Sequence, residues 1–230
     1  MIIFYKNYRR TERTLLSIKS VRHLFPNIQI KCLLLYNYSS TEYEDVLLDF
    51  RKLGVEIFFD KKTNNFDDGP QNVATPAGLM GFYFTEGINK IQNIMKEYDG
   101  KVLILDEDNF FTTGKTIDFL QNNDFDLAYA EWGAPHPIST RYVYSHKIGI
   151  NGSIIAINPK KLNCIFPIIE MEEFIENILG YELYDKCVKL NFNILEIATR
   201  KYSNYCGDGV FTNDINVIKE ELKKANIPYE

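Results

Sequence analysis

An α/β fold, with a mostly parallel central sheet and helices on both faces, is predicted by three observations. Strand-like and helix-like segments alternate over the first sixty residues. A purely apolar run, Val102 to Leu105, reads as a buried strand and leads straight into Asp106, Glu107 and Asp108. The 230 residues, 45% hydrophobic and 25% charged, suit a soluble chain with one sizeable core. No internal repeat, linker or low-complexity stretch interrupts it, so residues 1–230 are expected to form a single domain.

Met1 to Tyr5 reads as the first strand, and Thr11 to Leu24 as a helix, with Leu15, Ile18, Val21 and Leu24 about one turn apart. Pro26 and Asn27 break it, and Ile28 to Tyr36 is a second strand. Ser39 or Ser40 can cap a helix carrying Val46, Leu47, Phe50 and Leu53, which Gly54 stops. Val55 to Phe59 is a third strand, ending at Asp60. This β-α-β-α-β order is that of a parallel sheet.

Lys61 to Pro76 is polar and turn-prone, of a length expected for a binding loop, a lid or a disordered segment. A helix from about Ala77 to Tyr98 returns the chain to the central strand. A short helix at Ile117 to Leu120 and a strand at Asp126 to Ala130 follow. Gly133 to Gly149 is a second long loop, carrying His136, Arg141 and His146. Ile150 to Ile157 is a strand entered through Asn151-Gly152. Helices are expected at Ile168 to Leu179, Glu182 to Leu190 and Asp214 to Ala225, with a strand at Asn193 to Ala198. The two long loops are expected to flank one crevice, and one of them to order over a ligand.

Side chains two apart on extended backbone point the same way, so Asp106 and Asp108 can face one crevice beyond the end of their strand. That is where open α/β sheets bind ligands. Paired carboxylates there suit a hard divalent cation and, through it, phosphate oxygens. An acidic turn after a strand is the plainer reading of the same residues.

The net charge of -5 and pI near 5.4 argue against a nucleic-acid binder with a broad basic face. The apolar start is too brief for a signal peptide, and Arg9, Arg10 and Arg13 soon follow it. No apolar run is long enough for a transmembrane segment. Cys32, Cys164, Cys187 and Cys206 lie far apart without a Cys-x-x-Cys, which predicts reduced thiols in a cytoplasmic protein.

The order of elements and the central Leu105-Asp106-Glu107-Asp108 resemble the GT-A-fold glycosyltransferases, the nucleotide-sugar-dependent class. The Asn151-Gly152-Ser153 entry to Ile154 to Pro159 resembles a segment of glycogenin-type members, with the glycine one place early. The resemblance implies a single Rossmann-like GT-A domain. Asp106 and Asp108 would hold Mn²⁺ or Mg²⁺ against the diphosphate of a nucleotide-sugar donor, and the acceptor would be a glycan or other glycoconjugate hydroxyl. Many members add a late histidine to the metal. The last histidine here is His146, so Asp208, in Cys206-Gly-Asp-Gly209, stands as the third candidate ligand, or as a cap for the final helix. Tyr5, Arg9, Arg13 and Asp60 are candidates to face the presumed nucleotide pocket; a solvated helix face is the plainer reading of the arginines, and a strand-end turn that of Asp60. Glu182 and Asp185 are candidates for the general base of an inverting reaction, with Glu131 next; an exposed acidic helix face is the plainer reading of the first two. Trp132 would stack on an acceptor sugar, or pack as a half-buried core residue. Without an ion, Asp106 and Asp108 would repel each other, so neutralising one is expected to leave the fold intact or raise its melting temperature.

Two other readings fit part of the pattern. Haloacid-dehalogenase-type phosphatases also place Asp-x-Asp after a strand, though near their N-terminus and with Thr or Val where Phe110 stands. A non-catalytic domain of the same fold, binding nucleotide or glycan, would keep both acids. Sugar-nucleotide pyrophosphorylases carry a glycine-rich N-terminal signature, which this chain lacks.

Overall fold

A computed structural model describes residues 1–7, 11–34, 44–59, 76–107, 109–131, 150–168, 178–198, 209–211 and 214–229. The first half follows the predicted alternation closely. Strand β1 (Ile2–Asn7) leads to helix α1 (Thr11–Leu24), β2 (Gln29–Leu34), α2 (Glu44–Lys52) and β3 (Val55–Phe59). Gly54, at φ +70°, takes the left-handed turn that ends α2, as its place after the last apolar residue predicted. Helix α3 (Pro76–Met95) returns to β4 (Val102–Asp106). The suggested cap at Ser39 or Ser40 and almost all of the loop from Lys61 to Pro76 lie outside the described residues.

After β4 come β5 (Asn109–Phe111), α4 (Lys115–Asn122), β6 (Leu127–Glu131) and β7 (Ile150–Ile157). A one-turn helix α5 (Pro159–Leu162) then runs into a 3-10 turn. Helix α6 (Ile178–Lys189), β8 (Ile194–Ala198), β9 (Gly209–Phe211) and α7 (Ile215–Lys224) complete the order. Seven strands form one sheet in the order β3-β2-β1-β4-β7-β6-β8, and β5 pairs with β9 in a separate ribbon. All the strands of the large sheet run the same way except β7, which is antiparallel to both neighbours.

The helix predicted from Ile168 to Leu179 falls almost wholly on residues 169–177, which lie outside the described residues. At Ile168 the backbone N–H donates to the Asn89 side chain and the carbonyl accepts from Lys186 Nζ, which fastens it to α3 and α6. The short pieces β5, β9 and α5 were not foreseen, being too short to show a period. Helix α5 is set by Asn158, whose side chain accepts from Lys161 N, and by Pro159 in its first turn.

Strand alternation divides the core between two faces. Ile3, Tyr5, Ile30, Cys32, Leu103 and Leu105 pack under α1, α2 and α4, against residues such as Ile18, Phe50 and Ile117. Ile2, Phe4, Val102, Ile104, Tyr129 and Ile155 pack under α3, α5 and α6, against Ile88, Ile91 and Leu183. Helix α7 lies outside α1, with Ile218 and Leu222 against Leu16 and Phe110. At the far end of the sheet, Lys101 Nζ donates to the carbonyls of Leu120, Gln121 and Asn123 and so closes the C-terminus of α4.

Candidate active site

The parallel strands all end at one edge of the sheet, at Asn7, Leu34, Phe59, Asp106, Glu131 and Ala198. The reversed strand β7 enters at the same edge, since Ile154 lies opposite Leu105 and Ile150 opposite Glu131. The Asn151-Gly152-Ser153 backbone therefore starts beside the end of β4. From β1 the chain builds outward to β2 and β3, then comes back to place β4 on the other side of β1. The switch point of the sheet is thus the gap between β1 and β4, where open α/β sheets form their crevice. Helices α1, α2 and α3 all start from this edge, so their positive dipole ends favour an anion there.

Asp106 sits at that switch point. Its partner in register on β1 is Lys6, and the Lys6 ammonium lies 2.8 Å from Asp106 Oδ1. Lys6 is fully buried, whereas the Asp106 side chain is 17% exposed. Burial pushes the Asp106 carboxyl above the usual carboxylate range, and the charge and hydrogen bond of Lys6 pull it back part of the way. Oδ1 itself is shut off from solvent, while the side chain as a whole keeps some exposure. A carboxylate at the end of β4 has the donor chemistry of a Mn²⁺ or Mg²⁺ ligand. Asp108 and Asp208, the other predicted ligands, lie outside the described residues, and the described residues alone form no group of three metal-ligating side chains. Lys6 also corrects one expectation. Asp106 is not a bare acid: it is ion-paired with a buried ammonium, so neutralising it breaks that pair.

On the other face of β1, hydroxyls fix the segment that follows Asp106. Tyr5 Oη donates to Ser17 Oγ at 2.8 Å, and Ser17 donates in turn to the Asn109 carbonyl. Ser20 donates to the Phe111 carbonyl, and Asn7 Nδ2 donates to Thr14 Oγ1 at 2.6 Å. All four α1 and β1 donors are buried. Helix α1 thereby holds both ends of β5, the strand into which residues 106–108 lead. Tyr5, expected to face the nucleotide, is instead a core residue with no exposed surface, and burial raises its phenol far above the ordinary value.

Sequence reasoning missed Lys6, Ser17 and Ser20. The polar stripe Thr14, Ser17, Ser20, at spacing three, was a legible signal for the last two. Lys6 carried no such signal beyond following an apolar strand.

Of the remaining candidates, Arg13 is half-buried in the first turn of α1, at the crevice edge. Helix α6 lies on the same face of the sheet as Asp106, with Leu183 and Cys187 in that core and the Tyr184 ring against Tyr129, centroids 5.4 Å apart. Glu182 is half-buried, 3.4 Å from Lys186, while Asp185 is buried and ion-paired with Lys189. In this arrangement Glu182 is the more accessible of the two acids. Glu131 ends β6 at the crevice edge. Asp208 precedes β9, whose Gly209 pairs with Phe111, the end of β5 away from Asp106. Arg9, Asp60, Trp132, His136, Arg141 and His146 lie outside the described residues, as does the loop from Gly133 to Gly149.

No protein-family model matches the chain, and no curated protein matches it in sequence. Several solved structures resemble it in three dimensions. One is the galactosyltransferase LgtC, solved with donor and acceptor sugar analogues: TM-score 0.58 and 16% identity, covering 85% of this chain and 73% of that one. Another is the bifunctional glycosyltransferase WbbM, at TM-score 0.55 and 14% identity, covering 100% of this chain and 45% of that one. A nucleoside-diphosphate-sugar pyrophosphorylase from Vibrio cholerae RC9 is similar at TM-score 0.52 and 14% identity, over 97% of this chain and 100% of that one. Identities this low speak for architecture. The chain has the GT-A glycosyltransferase fold.

Proposed function

We propose that the chain is a glycosyltransferase moving a sugar from a nucleotide-diphosphate sugar to a hydroxyl of a glycan or other glycoconjugate. The observation that carries this reading is the position of Asp106: at the end of β4, at the switch point, on a fold similar to that of LgtC. The pyrophosphorylase likeness is compatible with the fold, but here only residues 8–10 join β1 to α1. That leaves no room for a long glycine-rich loop.

Cleaving the sugar–phosphate bond puts negative charge on the departing diphosphate. Mn²⁺ or Mg²⁺ held by Asp106 and Asp108, with Asp208 as a further candidate, would act as a Lewis acid on that leaving group. The helix N-termini at the crevice edge add fixed positive potential on the same side. Arg13, in the first turn of α1, is a candidate to contact a phosphate. Should the reaction invert, Glu182 is our first candidate to accept the acceptor's proton, because it is less buried than Asp185, with Asp185 and Glu131 next. Glu182→Gln should then lower turnover by a factor on the order of 10² with nucleotide affinity unchanged. A near-normal rate removes α6 from the chemistry.

The deciding experiment is a melting-temperature panel of nucleotide sugars with and without Mn²⁺, followed by a search for nucleoside diphosphate release with the donors that bind. A bound donor raises the melting temperature by mass action. No shift with any nucleotide sugar, together with phosphate release from simple monoesters, would establish the phosphatase reading instead. A shift without turnover on any acceptor would mark a binding domain.

A further inference from the structure

We propose that Cys164 and Cys187 are an oxidisable pair, which a small disulfide such as oxidised glutathione converts, by way of Cys164, into an internal disulfide. The bond would join the turn after α5 to the last turn of α6, outside the crevice, and the proposal stands apart from the transferase reading.

Packing brings the two thiols together. Cys164 lies in the 3-10 turn Asn163–Ile165 that continues α5, and this turn packs against α6. Leu162 and Ile165, on either side of Cys164 in sequence, share one core with Leu183 and Cys187 of α6. Asp126 ties the same corner together. Its Oδ1 lies 2.7 Å from Lys161 Nζ, one turn before Cys164, and its Oδ2 accepts from the Asn193 N–H, just past α6. Burial first, then the negative charges of Asp126 and of a Cys164 thiolate, push the Cys187 thiol up to about 12. A charge on Cys164 is therefore felt at Cys187.

The two thiols differ in access, and that difference sets the order of events. Cys164 is exposed, with Sγ 3.9 Å from the Lys161 carbonyl, whereas Cys187 has no exposed surface. The thiolate is the attacking species, so Cys164 meets the oxidant first. It attacks one sulfur of the small disulfide; that S–S bond breaks, a mixed disulfide forms on Cys164, and one small thiolate leaves. Cys187 then gives its proton to solvent and attacks the Cys164 sulfur, and the second small thiolate leaves. Two protein thiols lose two electrons, and one small disulfide is reduced to two thiols.

Cys187 reaches that sulfur through a local opening. It sits in the last turn of α6, which ends at Lys189. Past the helix, the left-handed residue Asn191 donates to the Val188 carbonyl, and Phe192 N–H donates to that of Cys187. Helix ends open at lower cost than helix centres, so freeing this turn leaves the rest of the core closed. Cys32 has no such route, since it lies in β2 under α1, in the core of the other sheet face. The product ties the turn after α5 to the helix that carries Glu182.

The test uses the full chain with Cys206→Ser, which removes the fourth thiol, in glutathione buffers from reduced to oxidised. Peptide mass spectrometry and melting curves are the readouts. Oxidising buffer should give an internal Cys164–Cys187 disulfide and a melting temperature above that of the reduced form, because the bond closes a loop of the unfolded chain. Adding Cys164→Ser should abolish the internal bond. Adding Cys187→Ser should stop the reaction at the glutathione adduct on Cys164; Cys187→Ala serves if serine at this buried position prevents folding. A glutathione adduct on Cys164 that persists with Cys187 present overturns the proposal. So does a bond that forms only in denaturant, one that joins Cys164 to Cys32, or one that lowers the melting temperature. A Cys164 that stays unmodified throughout overturns it as well.

Discussion

On the α1 side of β1, Tyr5 and Asn7 end in neutral hydrogen bonds to helix hydroxyls, all of them buried. On the opposite side Lys6, between them in sequence, ends in an ion pair with a partly exposed Asp106. Hydroxyl and amide groups lose little on burial once paired, so the α1 side can be sealed and used as a clamp. A charge pair is costly to dry completely, and it sits at the strand ends, where one partner keeps contact with the crevice. The clamped side sets where the chain after Asp106 goes; the charged side meets what enters.

The largest effects are expected from breaking the charged side. Asp106→Asn should abolish turnover to within a factor on the order of 10² or more, since it weakens the metal site and the stabilisation of the leaving diphosphate together. It should also destabilise the fold, by about 2–3 kcal/mol for a buried ammonium deprived of its carboxylate. In a chain of this length that lowers the melting temperature by roughly 5–10 °C. The double variant Lys6→Met/Asp106→Asn removes both charges and should regain most of that stability but none of the turnover. A melting temperature for Asp106→Asn at or above wild type would mean that Lys6 and Asp106 do not depend on each other.

Breaking the clamped side should do the reverse, costing stability first and chemistry second. Ser17→Ala takes away the acceptor of Tyr5 and the donor to Asn109, for about 2 kcal/mol by denaturant unfolding. Turnover should fall by less than about tenfold, because β5 loosens while Asp106 stays held by Lys6. Tyr5→Phe removes one hydroxyl and leaves the Ser17 bond to Asn109 in place, so it should cost about 1 kcal/mol with donor affinity unchanged. A large loss of donor affinity in Tyr5→Phe would return that ring to the nucleotide pocket.

How far the sequence could be read differs along the same division. The parallel half, β1 to β4, was legible because each strand is an apolar run and each helix repeats at its own period. Asp106 was legible for the same reason, as the polar end of the most apolar strand. The reversal of β7 was not, since Ile150 to Ile157 has the same composition whichever way it runs. Lys6 was not legible because its meaning lies in the neighbour relation of β1 and β4, which brings it beside Asp106 and which only the sheet order supplies. Ser17 and Ser20 were half-legible: their stripe marked a buried helix side, but their partners are carbonyls of β5, a strand of three residues without a period. Tyr5 misled because alternation places it opposite Lys6, and the sequence does not say which face the crevice opens on.

The smallest effect uses two thiols as reporters of the two sides. Cys32 lies in the core under α1, and Cys187 in the core under α6. Both are buried, and burial pushes the Cys187 thiol up to about 12 and the Cys32 thiol higher still. Neither should react with iodoacetamide at neutral pH until its side opens, because the thiolate is the nucleophile. Cys164 is exposed and should react in the native protein. With Cys164 and Cys206 replaced by Ser, the slow labelling of the other two measures local opening on each side. Ser17→Ala loosens only the α1 side, so it should speed Cys32 labelling severalfold and leave Cys187 within about twofold, as expected when the lost bonds bear on one opening and not the other. Equal acceleration of both thiols would show that the two faces open as one unit, and the contrast between clamp and charge pair would then be one of chemistry and not of mechanics.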